Sequence, residues 1–534
     1  MKIKKFGIFL FLFTLAVSGR ESFSQGFDEE TFKLARTLHL IDENYVDSVN
    51  LHSLTEKAII DLLKELDPHS TYISAKDVRD MNEPLIGNFE GIGIHFNLLR
   101  DTIIVVEPLS GGPSEKAGLK PGDRIVNIDG ENVTGIGIST AGVRKRLMGA
   151  KGTSVNLIVF RKGEGSLLDF TIIRDKIPIY SLDAAYMLDN ETGYIKLNKF
   201  AVTTDKEFED ALRGLRKQDM KNIIIDLRGN GGGVMTAATD LASHFFMEKK
   251  LLVYLIGRKT PRTNYLSKGS GDLSSARVAV LADEGSASAS EIFAGAMQDL
   301  DRGVIVGRRT FGKGLVQSGY YLTDGSMIRL TIARYYTPTG RSIQRPYNEG
   351  YDEYIKSFYK RFTDGELIYA DSIHFPDSLK YKTIVNKRTV YGGGGIMPDV
   401  FVSADTLGNS PYYRALIRKA VFTSFAVDYA DKNRNIINTN FSNFDDYKDH
   451  FEFSENDIRD FIKKGEQSGV PFNESQYKIS EHEIKTVLKA LVASNLWKSN
   501  EYFRIVNEGD PVIAKALKIV SDPQTYNKIL GYGK

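Results

Sequence analysis

The sequence contains no cysteine, which removes disulfides, thiolate nucleophiles and cysteine zinc sites together and leaves the redox compartment open. An excess of either charge is lacking too. Lysine and arginine number 70 against 68 aspartates and glutamates, a net charge of +2, so bulk charge names no partner and gives no basic face for nucleic acid. After the N-terminal segment no apolar run is long enough to span a bilayer. Neither tandem repeats nor low-complexity segments occur. A Gly-x-Ser-x-Gly elbow is missing, and none of the eight histidines sits in a familiar catalytic motif, which disfavours a Ser–His–Asp arrangement.

What is present has a globular composition, 42% apolar and 26% charged over 534 residues. That length exceeds one hydrophobic core and predicts about three or four folded units in series. Lys2, Lys4 and Lys5 precede the apolar run 6–17, and Ser18 and Gly19 follow it. This is the layout of a secretory signal peptide over residues 1–25, with cleavage after Gly19 or Ser24. The run is shorter than the roughly 20 residues that cross a bilayer. An exported protein of the periplasm or cell envelope is therefore expected, and an uncleaved leader would leave it associated with the membrane.

Residues 26–85 carry helical periodicity, with Leu54, Ala58, Ile59, Leu62, Leu63 and Leu66 on one face and a stop at Asp67-Pro68. His69, beside that stop, reads as structural. Residues 86–178 change to short alternating strands, at 102–106, 124–128, 155–160 and 168–173, separated by glycine turns. Residues 179–402 alternate strands with helices, which predicts an α/β core. Residues 403–534 are helical again. There Ser410-Pro411 starts a helix with Tyr413, Leu416, Ile417, Ala420, Val421 and Phe425 on one face, and Ser480 with Glu483 reads as a capping box ahead of Ile484. This extension carries no chemical motif and reads as an appendage, either a dimerisation arm or a lid.

Four segments carry chemistry. In Gly91-Ile92-Gly93-Ile94 the glycines allow backbone N–H groups to converge on a terminal carboxylate, and the following strand edge can pair with an extended peptide. Gly285-Ser286-Ala287-Ser288-Ala289-Ser290-Glu291-Ile292 joins a strand to a helix, where a nucleophile stands clear of the sheet beside unpaired N–H groups. Alone, this run reads first as a serine-rich N-cap. In Phe311-Gly312-Lys313-Gly314 the lysine would ordinarily be solvated. Packed in an apolar pocket it would lose its charge preference and could act as a general base towards a serine hydroxyl. Finally, Asp226-Leu227-Arg228-Gly229-Asn230-Gly231-Gly232-Gly233 fails as a phosphate loop, because Val234-Met235 replaces the required Gly-Lys-Ser/Thr. It fits as half of an oxyanion hole, since glycine lets the backbone N–H approach a substrate carbonyl. Asp226 and Arg228 read as a structural ion pair.

The segments 226–233, 285–292 and 311–314 with Gln317 resemble the three signatures of the C-terminal processing peptidases, also called tail-specific proteases. Segments 66–72, 336–344 and 395–400 extend the likeness over residues 27–402, and 86–178 resembles a PDZ domain. The resemblance implies a multidomain α+β protein: N-terminal helices, PDZ domain, α/β (crotonase-like ββα) peptidase core and helical C-terminal extension. It implies a serine endopeptidase in which Ser288 is the nucleophile, Lys313 the general base and Gln317 the residue that positions the lysine. The oxyanion hole would comprise the N–H of Ala289 and that of Gly232 or Gly233. Gly231 stands where the family often has proline, which leaves the donor glycine open. Gly91, Ile92, Gly93 and Ile94 would bind the peptide tail, and the PDZ domain would also gate the active site. No metal or organic cofactor is implied. The expected partners are proteins or peptides with accessible C-termini and not nucleic acid, with a homo-oligomer left open. Two rivals remain: a non-catalytic scaffold, against which the complete Ser, Lys and Gln set argues, and a related core that binds acyl thioesters or lipids.

Overall fold

Pro68 ends the first helical stretch, and the chain divides into two units there, up to Leu66 and from Asp67 onward. The computed structural model describes residues 29–99, 101–109, 111–404, 408–497 and 499–533. The leader expected over 1–25 lies outside the described residues. In the first unit, helix Glu29–Asn44 precedes helix Leu51–Lys64, which the Asn50 side chain caps by accepting from the Ser53 N–H. Of the apolar positions read from the sequence, Leu63 is buried while Leu62 and Leu66 are exposed.

Residues 67–85, expected within the N-terminal helical region, belong to the second unit. Strand Thr71–Ile73 pairs antiparallel with Met327–Tyr336, and helix Ala75–Ile86 leads into the β-rich domain. That domain is entered and left through a two-stranded ribbon, Asn88–Gly91 against Asp175–Pro178. Its main sheet runs Ile94–Leu99, Thr102–Pro108, Arg124–Ile128, Ser154–Phe160, Leu168–Ile173. Inward residues such as Ile103, Val105, Ile125, Val155 and Val159 are fully buried beside Val143 of helix Thr140–Leu147.

The core is built on a six-stranded sheet in the order Leu182–Met187, Thr192–Leu197, Asn222–Asp226, Arg277–Ala282, Val304–Gly307, Val400–Phe401. The first pair is antiparallel and the rest are parallel. Its central strands are near-continuous apolar runs, and all five residues of Asn222–Asp226 are buried. Such strands require cover on both faces. Helices Thr204–Arg216, Met235–Ser243 and Ala289–Asp299 supply one face, in a hydrophobic cluster that also includes Leu252, Val253, Ala333 and Tyr335 of a second, five-stranded sheet. Every residue of Ala289–Asp299 is buried.

The other face is covered from the far end of the chain. Val512, Ile513, Ala516, Ile519 and Val520 of helix Pro511–Ser521, with Tyr526 and Leu530 of Pro523–Leu530, pack on Ile224, Ala279, Leu281, Val304 and Val306. Each valine, leucine or isoleucine among them contributes about 1.5–3 kcal/mol when fully buried. The C-terminal extension is thus not wholly an appendage. Its remaining helices form their own aromatic-rich clusters around Phe422, Phe461, Tyr447 and Phe451.

Two local expectations change there. The apolar face read through Ala420 belongs to two helices, Pro411–Arg418 and Val421–Asn440, because Ala420 takes a left-handed φ of 51°; Ile417 is left exposed. Ser480 and Glu483 do not cap a helix. Helix Glu474–Leu496 starts two turns earlier under Asn473, and Ser480 lies buried inside it, donating from Oγ to Ser410 Oγ. Ser410 does cap its helix, accepting from the Tyr413 N–H. Among the described residues no helix is long and apolar enough to cross a membrane.

Candidate active site

Of the three serines at the start of Ala289–Asp299, Ser286 and Ser288 before it and Ser290 in its first turn, two are consumed by folding. Ser286 Oγ donates to the Leu227 carbonyl (2.7 Å) and Ser290 Oγ to the Asn230 carbonyl (2.9 Å), both side chains fully buried. These bonds stitch the serine turn to the glycine loop. Ser288 instead is half-buried and lines a cleft of about 520 Å3 with Lys313, Gln317 and the glycines 231–233. Its backbone is strained, at φ 55° and ψ −112°. A residue with a β-carbon held in such a region costs about 1–3 kcal/mol and persists only where its surroundings fix it.

Glu291 supplies much of that fixing. Its fully buried carboxyl accepts from the N–H groups of Ser288 (2.9 Å), Gly312 (2.7 Å) and Lys313 (2.9 Å) and from Thr310 Oγ1. One side chain thereby ties the serine turn to the lysine loop. Burial pushes its pKa up to about 7 against the pull of these four donors. Buried Tyr335 reinforces the link, its hydroxyl shared between the carbonyls of Lys313 (2.8 Å) and Ser288 (3.1 Å).

Lys313 is half-buried, and its Nζ donates to Gln317 Oε1 at 3.0 Å. The Gln317 amide is oriented in turn by donating to the carbonyl of His69, and the strand carries a bulge between Val316 and Gln317. Burial, and then the charge of Arg329, lower the lysine's pKa. Its environment is polar rather than the apolar pocket expected, yet the direction is the same. No hydrogen bond joins Lys313 Nζ to Ser288 Oγ among the described residues. The His69 ring pairs with Tyr354 Oη (2.9 Å), and burial together with Lys313 lowers its pKa to about 4, so it is neutral near pH 7.

The glycine loop lies against the serine turn. A β-carbon on Gly232 (φ +98°) would come 2.8 Å from Ser288 Cβ, and one on Gly233 (φ +140°) 2.1 Å from the Phe200 carbonyl oxygen, so neither position admits a side chain. The Gly232 N–H donates to Asn230 Oδ1 (2.9 Å). Among the described residues the N–H groups of Gly233 and Ala289 have no acceptor, which favours Gly233 over Gly232 as a donor to an oxyanion. Asp226 anchors the loop. It receives the Arg228 guanidinium (2.7 Å), the Tyr194 hydroxyl (2.8 Å) and the Lys196 ammonium (3.3 Å). Burial raises its pKa, but Arg228 and Lys196 outweigh that and hold it down to about 2. Arg228 also pairs with Asp510 (2.6 Å), whose other oxygen caps helix Pro511–Ser521.

In the β-rich domain, Gly93 takes φ +72° and its carbonyl accepts from the Leu109 N–H, while the Ile92 carbonyl accepts from Ser114 N–H and Oγ. The Ile92 side chain is buried in the domain core. Strand Ile94–Leu99, just after Gly91-Ile92-Gly93, has Thr102–Pro108 as its one partner among the described residues, leaving an open edge. Helix Ala75–Ile86 borders both regions, since Asn82 and Leu85 line the cleft and Gly87 then leads into the ribbon. Elsewhere, Asp205, Glu209 and His244 converge within 4.8 Å. His244 is bonded through both ring nitrogens to Asp205 (3.1 Å) and Asp272 (3.0 Å), and although burial opposes it, these carboxylates raise its pKa. Both ring nitrogens are thus engaged by carboxylates.

Peptidase family S41 matches residues 191–351, the PDZ domain residues 91–172, and a family of unknown function residues 412–498. Carboxy-terminal processing protease CtpB of Bacillus subtilis is 35% identical over 321 residues, 60% of this chain and 66% of that one. Carboxy-terminal processing protease CtpA of the same organism is 34% identical over 331 residues, 62% of this chain and 70% of that one. The chain belongs to the C-terminal processing peptidases. This family of serine-type enzymes accounts for the PDZ domain and the core, whereas the match of unknown function falls on the helical extension. A solved photosystem II D1 C-terminal processing protease is 27% identical and covers 71% of this chain and 88% of its own, with a TM-score of 0.36. The PDZ domain of a Vibrio cholerae carboxy-terminal protease, solved in complex with peptide, is 32% identical and covers 17% of this peptidase and 97% of its own chain, with a TM-score of 0.16. At those scores the assignment rests on the sequence matches.

Proposed function

We propose that this peptidase is exported, captures the C-terminal tail of a protein or peptide on its PDZ domain, and hydrolyses a peptide bond through an acyl-enzyme on Ser288. Neutral Lys313 takes the Ser288 proton as Oγ attacks the scissile carbonyl. The N–H groups of Ala289 and Gly233 receive the oxyanion. Collapse breaks the C–N bond, Lys313 returns the proton to the leaving amine, and water activated by the same lysine cleaves the ester. Gln317 holds the amine in place through its Oε1.

The observation that carries this reading is the Lys313 amine, lowered in pKa and bonded to Gln317, in one cleft with the serine of the turn that folding does not bury. Tail capture is supported by the open edge of Ile94–Leu99, and export by the basic, apolar, small-residue order of the leader. Ser288→Ala and Lys313→Ala should fold as the parent does yet cleave an unfolded substrate with an apolar C-terminus at least about a thousand-fold more slowly. Full activity in either variant overturns the dyad. Export is tested separately, by cell fractionation and N-terminal sequencing of the mature chain.

A further inference from the structure

We propose that Arg329 is a substrate-recognition residue of the cleft, pairing with a carboxylate of the bound peptide; this rests on the peptidase reading of the site. The charged residues that line the cleft are Lys313 and Arg329, and no carboxylate lines it. Arg329 lies in Met327–Tyr336 with a strand on each side, opposite Gly319 in one and Thr71 in the other. Its backbone is therefore held by two ladders, and the glycine across from it places no side chain beside its own.

Half-buried Arg329 has no ion pair or hydrogen bond to its side chain among the described residues. Arg228, Arg341, Arg361 and Arg388 each meet a carboxylate, at Asp226, Asp299, Glu366 and Asp301, and Arg174, Arg302 and Arg345, which meet none, donate instead to carbonyl or hydroxyl oxygens. Desolvating a guanidinium without a counter-charge is unfavourable, and its planar fork matches a carboxylate through two parallel N–H···O bonds. Two sources of that carboxylate fit, an acidic side chain near the scissile bond or the C-terminus of the peptide lying in the cleft. Arg329 also acts on the base. The groups facing Lys313 are Arg329, which lowers its pKa, and Asp67 and Glu291, which raise it, with His69 alongside. A carboxylate seated on Arg329 would cancel part of the repulsion, so the acidic limb of kcat should lie at higher pH for an acidic peptide than for its neutral counterpart.

The test uses the full chain and internally quenched peptides with a common apolar tail, in which one Glu or Gln is walked through the positions flanking the scissile bond. At one position the parent should cleave the Glu peptide with a kcat/KM about ten-fold above the Gln peptide, and Arg329→Gln should remove both that preference and the displacement of the kcat limb. Arg329→Lys, which keeps the charge without the fork, should retain part of each. If the C-terminus is the source, Glu and Gln peptides behave alike. Amidating the peptide then costs the parent about ten-fold more than it costs Arg329→Gln, the remaining cost being that of the PDZ domain. The proposal is overturned if the parent does not distinguish Glu from Gln and amidation costs both proteins the same factor. Turnover by Ser288→Ala equal to the parent's would instead overturn the peptidase reading.

Discussion

Two buried carboxyl groups, one at each strand-to-helix turn beside the cleft, do similar work with opposite electrostatics. Asp226 is surrounded by Arg228 and Lys196 and held down to about 2, whereas Glu291 is surrounded by neutral donors and pushed up to about 7. The glycine loop is therefore locked by charge, and the link between the Ser288 turn and the Lys313 loop is made of hydrogen bonds around a carboxyl poised near neutrality. Charge pairing tolerates pH but fails if one partner is removed. The neutral cage depends on having an acceptor at its centre.

The largest expected effect comes from emptying that cage. Glu291→Ala would strand three backbone N–H donors, each costing about 1–3 kcal/mol when buried without an acceptor, in the two segments that carry Ser288 and Lys313. Turnover of a quenched peptide should fall by at least about a hundred-fold in kcat, with KM within a few-fold. A loss below about ten-fold would show that activity does not depend on the carboxyl's tie between the Ser288 and Lys313 segments. Removing Arg228 should act on stability instead. Arg228→Ala leaves Asp226 buried without its main counter-charge and should cost about 3–5 kcal/mol in chemical denaturation. Asp510→Ala, which removes the more exposed partner and a helix cap, should cost about 1–2 kcal/mol.

The smallest effect is one of pH, and its sign separates the two carboxyls. Asp226 has a folded pKa below its unfolded one, so its contribution is present above about pH 4 and is lost as the pH falls through about 2. Glu291 has a folded pKa above its unfolded one. Its stabilising contribution is present below about pH 4 and is lost as the pH rises through about 7. Unfolding free energies of the parent and of Glu291→Gln should therefore converge or cross between those limits. Parallel curves would mean that Glu291 does not titrate there.

The parts of this molecule that were legible in the sequence are those where local rules and tertiary packing agree. Apolar runs at 223–227 and 278–282, each followed by a turn of small residues and a helix, announce the parallel strands of an α/β core. Glycine at 232 and 233 is needed because a side chain at either position would strike Ser288 or the Phe200 carbonyl. What was not legible depends on partners far away in sequence. Asp510 reaches Arg228 across 282 positions, and nothing in the residues around either points to the other. Glu291 was visible only as a residue one turn beyond the serine, because its other ligands lie at 310–313. Ser480 with Glu483 satisfies the pattern of a capping box, yet the helix had already begun at Glu474, since burial against Ser410 overrode the local signal. Ala420 gives no composition cue for its left-handed break. The arginine at 329 looks in sequence like one more strand residue, and its lack of a counter-charge exists only in three dimensions.

Because helices Pro511–Ser521 and Pro523–Leu530 lay down the second face of the central sheet, synthesis and activity are coupled by topology. A nascent chain that stops short of residue 510 presents Ile224, Leu281 and Val306 to water and lacks the Asp510 tether on its glycine loop. Premature termination or clipping ahead of that point should yield an aggregating polypeptide rather than a smaller working protease, so these two helices act as the enzyme's completion check.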